Sequence, residues 1–216
     1  MAPMTRKRLS RQDSRDRTAQ RLLDAAEKLI ARRGLDATSV EDIAEAAGYS
    51  RGAFYSNFKS KSDLFFELLR RDQQRMRAQF GAVLDDELTL DEVQTRIQEI
   101  YGSLYHDSDR FMTWAEARMR SARDRRFRAR LNALMVEKRN HVVKLIKYFY
   151  KHTGVTPASP LEPLAMGFMS LMEGVRLFGV SCPNDMSPEV AESVLKLFVN
   201  SAMQQVRQPS DVGSKA

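Results

Sequence analysis

The chain has 216 residues, 43% of them hydrophobic, enough for one sizeable core or two small ones. Its formal net charge of +7 is uneven: residues 1–61 hold 13 Lys and Arg against 8 Asp and Glu, while the remainder is nearly balanced. A single cysteine, Cys182, excludes an internal disulfide framework, and the charged N-terminus lacks the apolar segment of a signal peptide. No apolar run approaches ~20 residues, so no membrane span is expected and a reducing cytoplasm is the expected compartment.

Residues 1–15 are polar and basic, with too few apolar groups to fold alone. They read as a disordered tail or as an arm that touches DNA. A first helix is predicted from about Asp16 to Arg33, with Leu22, Leu23, Ala26, Leu29 and Ile30 as its buried stripe and Gly34 at its end. Thr38 and Glu41 have capping-box spacing before a second helix, Val40 to Ala47, which Gly48 ends. Ser50 then caps a third helix, Arg51 to Phe58. Phe54 and Phe58, four apart, face inward on it, and Arg51, Tyr55, Ser56 and Asn57 keep polar tips free. Two helices across a glycine turn, the second carrying hydrogen-bonding tips, have the layout that places a recognition helix in the DNA major groove.

The rest of the pattern is helical throughout. Ser60 and Asp63 mark the start of a helix that runs to about Leu84, and Thr89 with Glu92 marks another. Helices follow at about Phe111 to Arg120 and Asp124 to Lys151, the latter with Leu131, Leu134, Met135, Val142, Leu145 and Phe149 on its stripe. Leu161 to Val180 and Pro188 to Val206 are the last two, Ser187-Pro188 being a strong start. No period-2 alternation bounded by turn residues appears, which argues against a sheet.

From Ala25 to Leu69 the sequence resembles the DNA-binding domain of the tetracycline-repressor (TetR) family. The resemblance rests on Gly34, Ile43-Ala44, Ala47-Gly48, Ser50-Arg51-Gly52, Phe54-Tyr55, Phe58-Lys59 and Lys61. It implies an all-α fold of about nine helices. A three-helix helix-turn-helix domain at 16–61 would be followed by a helical effector-binding and dimerisation domain at 62–208 and a flexible tail at 209–216. It also implies a homodimeric repressor, released from a palindromic double-stranded operator by a small-molecule effector.

Expected DNA contacts are Thr38, Ser39, Ser50, Arg51, Tyr55, Ser56, Asn57, Lys59 and Lys61. Ser56 and Asn57 would reach base edges, Arg51 a guanine or a phosphate, and Thr38, Ser39, Lys59 and Lys61 the backbone. Candidates for an effector pocket are Tyr101, Tyr105, Phe111, Met112, Trp114, Met135, Met166, Phe168, Met169 and Met172, with core packing as the competing reading. Leu171, Val175, Phe178, Val190, Val194, Leu197, Phe198 and Ser201 are candidates for a dimer interface. The Arg-rich run from Arg110 to Arg130 reads as a solvated face laced with ion pairs or as an attractor for an acidic effector.

No catalytic residue, metal ligand or cofactor is expected. His106, His141 and His152 lack metal-ligand spacing, and neither a nucleophile elbow nor a phosphate-binding glycine loop appears. The alternatives left open are an all-helical small-molecule-binding protein or enzyme with a vestigial head, and an activator or a nucleoid-type binder of little sequence preference.

Overall fold

The computed structural model describes residues 10–85, 107–153 and 160–204, together with Thr89, Glu92, Thr95, Arg96, Glu99, Ile100, Gly102, Tyr105 and Pro157. Residues 1–9 of the tail expected at 1–15, and the tail expected at 209–216, lie outside it, while residues 11–15 are helical and not a tail. Helices α1 (Arg11–Arg33), α2 (Val40–Ala46), α3 (Arg51–Asn57) and α4 (Lys61–Asp85) come first. Helices α5 (Ser108–Arg123), α6 (Arg125–Thr153), α7 (Leu161–Ser181) and α8 (Pro188–Gln204) follow. The isolated described residues from Glu92 to Tyr105 are helical as well, and no strand occurs among the described residues.

α1 begins well before the expected Asp16. The Ser10 hydroxyl accepts from the Asp13 amide at 3.1 Å while the Asp13 carboxylate accepts from the Ser10 amide at 3.0 Å. This reciprocal box satisfies two of the amide groups a helix start leaves orphaned, so the polar turn needs no apolar packing of its own. Apolar periodicity misses such a turn. Gly34 closes the helix at φ +78°, a backbone only glycine adopts readily.

The second cap is shifted by one residue from the expected Thr38–Glu41 pair. Ser39 accepts from the Asp42 amide at 3.0 Å, and Asp42 accepts from the Ser39 amide at 2.9 Å. Both pairs have the right spacing in the sequence. Packing decides between them, because Thr38 is fully buried and its hydroxyl donates to the Gly34 carbonyl at 2.8 Å. Gly48, at φ +76°, makes the turn into α3, and Ser50 accepts from the Ala53 amide at 3.3 Å as expected.

Two compact units partition the chain, and the boundary is not the one expected at residue 61. The first unit takes in residues 1–72 and returns for 108–131; the second holds 73–107 and 132–216. In the first, α1 packs on α2 and α3 and lies along α5. Phe54 and Phe65 are fully buried, and Phe54 meets the Phe58 ring at 5.8 Å. Arg71 is buried and donates to Glu27 at 2.9 Å and to Asp24, both on α1. Its neighbour Asp72, equally buried, pairs instead with Arg110 and accepts the Trp114 indole N–H at 2.7 Å.

The Arg-rich run is therefore laced with ion pairs. Besides Arg110, Arg120 reaches Asp36 and Arg130 reaches Asp63, each at 3.0 Å. Arg120 also lies over the Phe127 ring and Arg130 over the Phe66 ring.

In the second unit α7 packs on α8, with Phe168 and Phe198 in contact and Gly167 lying against the Phe198 ring. Tyr105 donates to the Met186 carbonyl at 2.8 Å. It passes so close to Gly179 that a Cβ there would sit 2.7 Å from the phenol oxygen. Along α6 the buried residues include Val143 and Tyr150, one position on from the predicted Val142 and Phe149. α7 is long and apolar enough by composition to cross a membrane, at a mean hydropathy of 1.2, but charged residues interrupt its apolar run. It carries Glu173 and Arg176, and the Arg176 guanidinium donates to the Asp107 carbonyl at 2.6 Å.

Three carboxyls at helix starts titrate below the ordinary aspartate value. The Ser39 amide and hydroxyl lower Asp42, and the Ser60 hydroxyl, then Arg130, lowers Asp63. The Phe127 and Arg126 amides lower Asp124. A depressed folded-state pKa adds stability above the unfolded value that is lost as pH falls through the folded value. The urea midpoint should therefore fall between about pH 5 and about pH 2. Asp42→Asn should flatten that dependence, and a profile identical to wild type would contradict the role given to the cap.

Candidate nucleic-acid interface

α3 divides its residues as the sequence reading expects. Phe54 is buried beneath it, while Arg51, Tyr55 and Ser56 are exposed. Tyr55, 48% exposed, sets its ring edge-on to Phe54 at 5.3 Å, which leaves the phenol oxygen toward solvent. Arg51 pairs with Glu41 at 2.8 Å and lies over the Tyr55 ring. Tyr55, then Glu41, raises its pKa above the ordinary value. Both partners are solvated, so this ion pair is weak and can be exchanged for a phosphate or a base edge.

Ser56 and Asn57 turn their donors back onto the helix. The Ser56 hydroxyl and the Asn57 amide nitrogen both donate to the Ala53 carbonyl, at 2.9 and 2.8 Å. The Ser56 oxygen also accepts from the Asn57 amide at 3.4 Å, and the Asn57 carbonyl oxygen remains as an acceptor for a ligand. Ser39 and Ser50 are exposed and serve as caps. Lys59 is exposed.

Two expected anchors are placed differently. Thr38 is buried and its hydroxyl is committed to Gly34, so its side chain has no surface to offer. The Lys61 ammonium donates to the carbonyls of Leu35 and Thr38, each at 2.7 Å, and to that of Asp36 at 3.4 Å. It ties the start of α4 to the loop before α2 and is not free to act as a phosphate contact. Backbone carbonyls leave no mark in a sequence pattern, which is why this role was not visible.

Beside α3 lies an open groove of about 380 Å³, lined by Arg11, Ser14, Arg15 and Thr18 of α1 and by Ala53, Ser56 and Asn57 of α3. Its α1 wall falls mostly in the stretch expected to be a tail or a DNA-touching arm, here folded as a helix. The Ser10–Asp13 box and the helical spacing of residues 11, 14, 15 and 18 are the signals that would have found it.

The residues expected to line an effector pocket fall in both units. Phe111, Met112 and Trp114 belong to the first, where Phe111 is buried, Met112 exposed and Trp114 committed to Asp72. Tyr105, Met135, Met166, Phe168, Met169 and Met172 belong to the second. There Met169 is buried and Met166 is exposed. Tyr101 lies outside the described residues.

Of the expected dimer contacts, Phe178, Val190, Leu197 and Ser201 are exposed, Leu197 at 70%. Leu177, Val180 and Val199 are exposed beside them and were not foreseen. Leu171, Val194 and Phe198 are half-buried. Val175 is buried within its own unit, so it cannot offer its side chain to a partner.

Residues 22–68 match the sequence model of a family described as bacterial regulatory proteins, tetR family. Over that segment, about a fifth of its length, the chain is similar to the TetR family. It is 39% identical over 100 residues to the uncharacterized HTH-type transcriptional regulator YwcC of Bacillus subtilis, a match covering 44% of this chain and 45% of that one. To the HTH-type transcriptional regulator AcrR of Shigella flexneri it is 46% identical over 61 residues, 28% of each chain. The chain thus spans about half the length, or less, of these curated relatives. Among solved structures, a TetR-family chain from Rhodococcus superposes with a TM-score of 0.72 at 23% identity, covering 87% of this chain and 99% of that one. SmeT, solved with triclosan, gives 0.71 at 19% identity, covering 92% and 98%. These two likenesses are of fold.

If Lys61 holds the first unit together, Lys61→Met should lower its stability by about 2 kcal/mol, because three carbonyls lose a charged donor. Lys59→Met should stay within about 0.5 kcal/mol of wild type. Thermal unfolding followed by circular dichroism checks both; equal effects would remove the distinction.

Proposed function

We propose that this chain is a TetR-family, homodimeric, sequence-specific DNA-binding transcriptional repressor that a small-molecule effector releases from a palindromic operator. The observation that carries the reading is the hydrogen-bonding face of α3, the exposed Arg51, Tyr55 and Ser56 beside the half-buried Asn57, held over a buried Phe54 in a basic head. Two such helices, one per protomer, would enter successive major grooves about 34 Å apart. Ser56 and Asn57 read base edges, Arg51 exchanges Glu41 for a base or a phosphate, and Lys59 anchors the backbone. The exposed apolar side chains of α7 and α8, including Phe178, Val190 and Leu197, support pairing of two chains.

The reading excludes catalysis as the chain's task and places its work in the cytoplasm, where the operator is. For the effector, a triclosan complex of SmeT and a choline complex of a transcriptional regulator from Saccharomonospora viridis supply the precedent in proteins of this fold. Here the half-buried Tyr105, Met135, Phe168 and Met172 of the second unit are the residues proposed to meet it. Release requires the effector to favour the non-binding state by a few kcal/mol.

Selection of duplexes from a random library by the purified protein tests this directly. A palindromic consensus should emerge and be preferred by about 10³-fold over scrambled DNA, with Tyr55→Ala weakening binding. Equal binding to both duplexes would sink the repressor in favour of a non-specific binder. Leu197→Asp should yield a monomer by light scattering and lose operator affinity; a variant that stays dimeric would remove α8 from the interface.

A further inference from the structure

The groove beside α3 has two walls of different chain origin. Arg11, Ser14, Arg15 and Thr18 form one stripe of α1, and Ala53, Ser56 and Asn57 form the facing stripe of α3. No carboxylate lines it. The two aspartates of the same turn of α1 are engaged elsewhere: Asp13 closes the cap with Ser10, and Asp16 accepts from Gln12 at 2.9 Å. Arg11 and Arg15 are exposed, and among the described residues neither has a carboxylate partner. Elsewhere in the head, the Arg51 guanidinium is paired with Glu41 and the Lys61 ammonium is committed to carbonyls. The groove therefore concentrates free positive charge where the recognition residues begin.

We propose that this groove is a second DNA-contact element, in which Arg11 and Arg15 grip the sugar-phosphate strand flanking the bases that α3 reads. The proposal rests on the DNA-binding reading above and adds to it a site outside the helix-turn-helix. Guanidinium groups suit phosphate oxygens because they donate two parallel hydrogen bonds, and the Ser14 hydroxyl between them can add a third donor. An open groove accepts a continuing strand, where an enclosed cavity would accept a small molecule. Because Ser56 and Asn57 form the opposite wall, a strand held there fixes how α3 sits against the bases without itself reading sequence. Arg11 and Arg15 thereby set affinity, and α3 sets specificity.

The test is anisotropy of full-length protein on its selected duplex and on a scrambled one, across a salt series. Variants are Arg11→Gln, Arg15→Gln and, as a control, Arg17→Gln, which removes the same charge from the same helix but does not line the groove. Each groove variant removes one phosphate contact per protomer, so it should reduce the slope of log K against log salt by about two for the dimer and leave the preference between duplexes unchanged. Arg11→Lys should keep the slope, and Arg17→Gln should barely move it. Ser14→Glu, which puts a carboxylate between the arginines, should weaken both duplexes by about tenfold or more at low salt.

Equal slope changes in all three glutamine variants, or none in any, would overturn the groove while leaving the repressor intact, provided wild type still prefers its selected duplex. Wild-type protein that binds neither duplex would overturn both together.

Discussion

One ammonium group holds the head in register. Lys61, the first residue of α4, reaches back to the carbonyls of Leu35, Asp36 and Thr38 in the loop before α2. Carbonyls in a loop between two helices have no ladder to join, and leaving them unpaired in a half-buried position costs free energy. A single cation satisfies all three and thereby fixes where α2 starts relative to α4. Thr38 adds the second constraint from inside, its hydroxyl on the Gly34 carbonyl. With α2 fixed and Gly48 turning the chain, α3 has one direction left, and its polar face follows from the burial of Phe54.

Much of this was legible from residues alone, for reasons that differ by element. α3 was readable because its cap, its aromatic pair and its polar tips all lie within a few positions of one another. The cap of α2 was ambiguous because Thr38–Glu41 and Ser39–Asp42 overlap with equal spacing, and only the burial of Thr38 separates them. The start of α1 was missed because a capped, solvated turn carries no apolar periodicity. On α6 Leu131, Leu134 and Leu145 are buried as expected, while Val143 and Tyr150 are buried in place of their neighbours Val142 and Phe149, which only packing separates. Among the DNA-contact candidates, those lost were Thr38 and Lys61, whose partners are backbone atoms and so invisible to any pattern of side chains.

Arg71 and Asp72 show how charge specifies packing here. Adjacent on α4 and both buried, they send their charges to different helices, Arg71 to the acids of α1 and Asp72 to Arg110 and Trp114 of α5. Pairs withdrawn from water recover little net stability, because desolvation offsets most of the attraction. Their effect lies in the penalty for misplacement, since exchanging the two helices would set like charges together. The same logic explains why an arginine-rich stretch that reads as a solvated face sits in one orderly arrangement, each of Arg110, Arg120 and Arg130 matched to one aspartate.

The first unit is also discontinuous in the chain, closed by residues 108–131 that arrive after a long excursion through the second. That has a bearing on how chains of this fold can be recombined. A head exchanged between two proteins at a single junction after α4 would arrive without its α5, and with Asp72 facing a foreign partner in place of Arg110 and Trp114. A working chimera needs three crossovers, one after residue 72 and one at each end of 108–131, or compensating changes on α5. Descent by shuffling would therefore favour inheritance of the first 72 residues and α5 as a pair, with the intervening and following segments free to diverge.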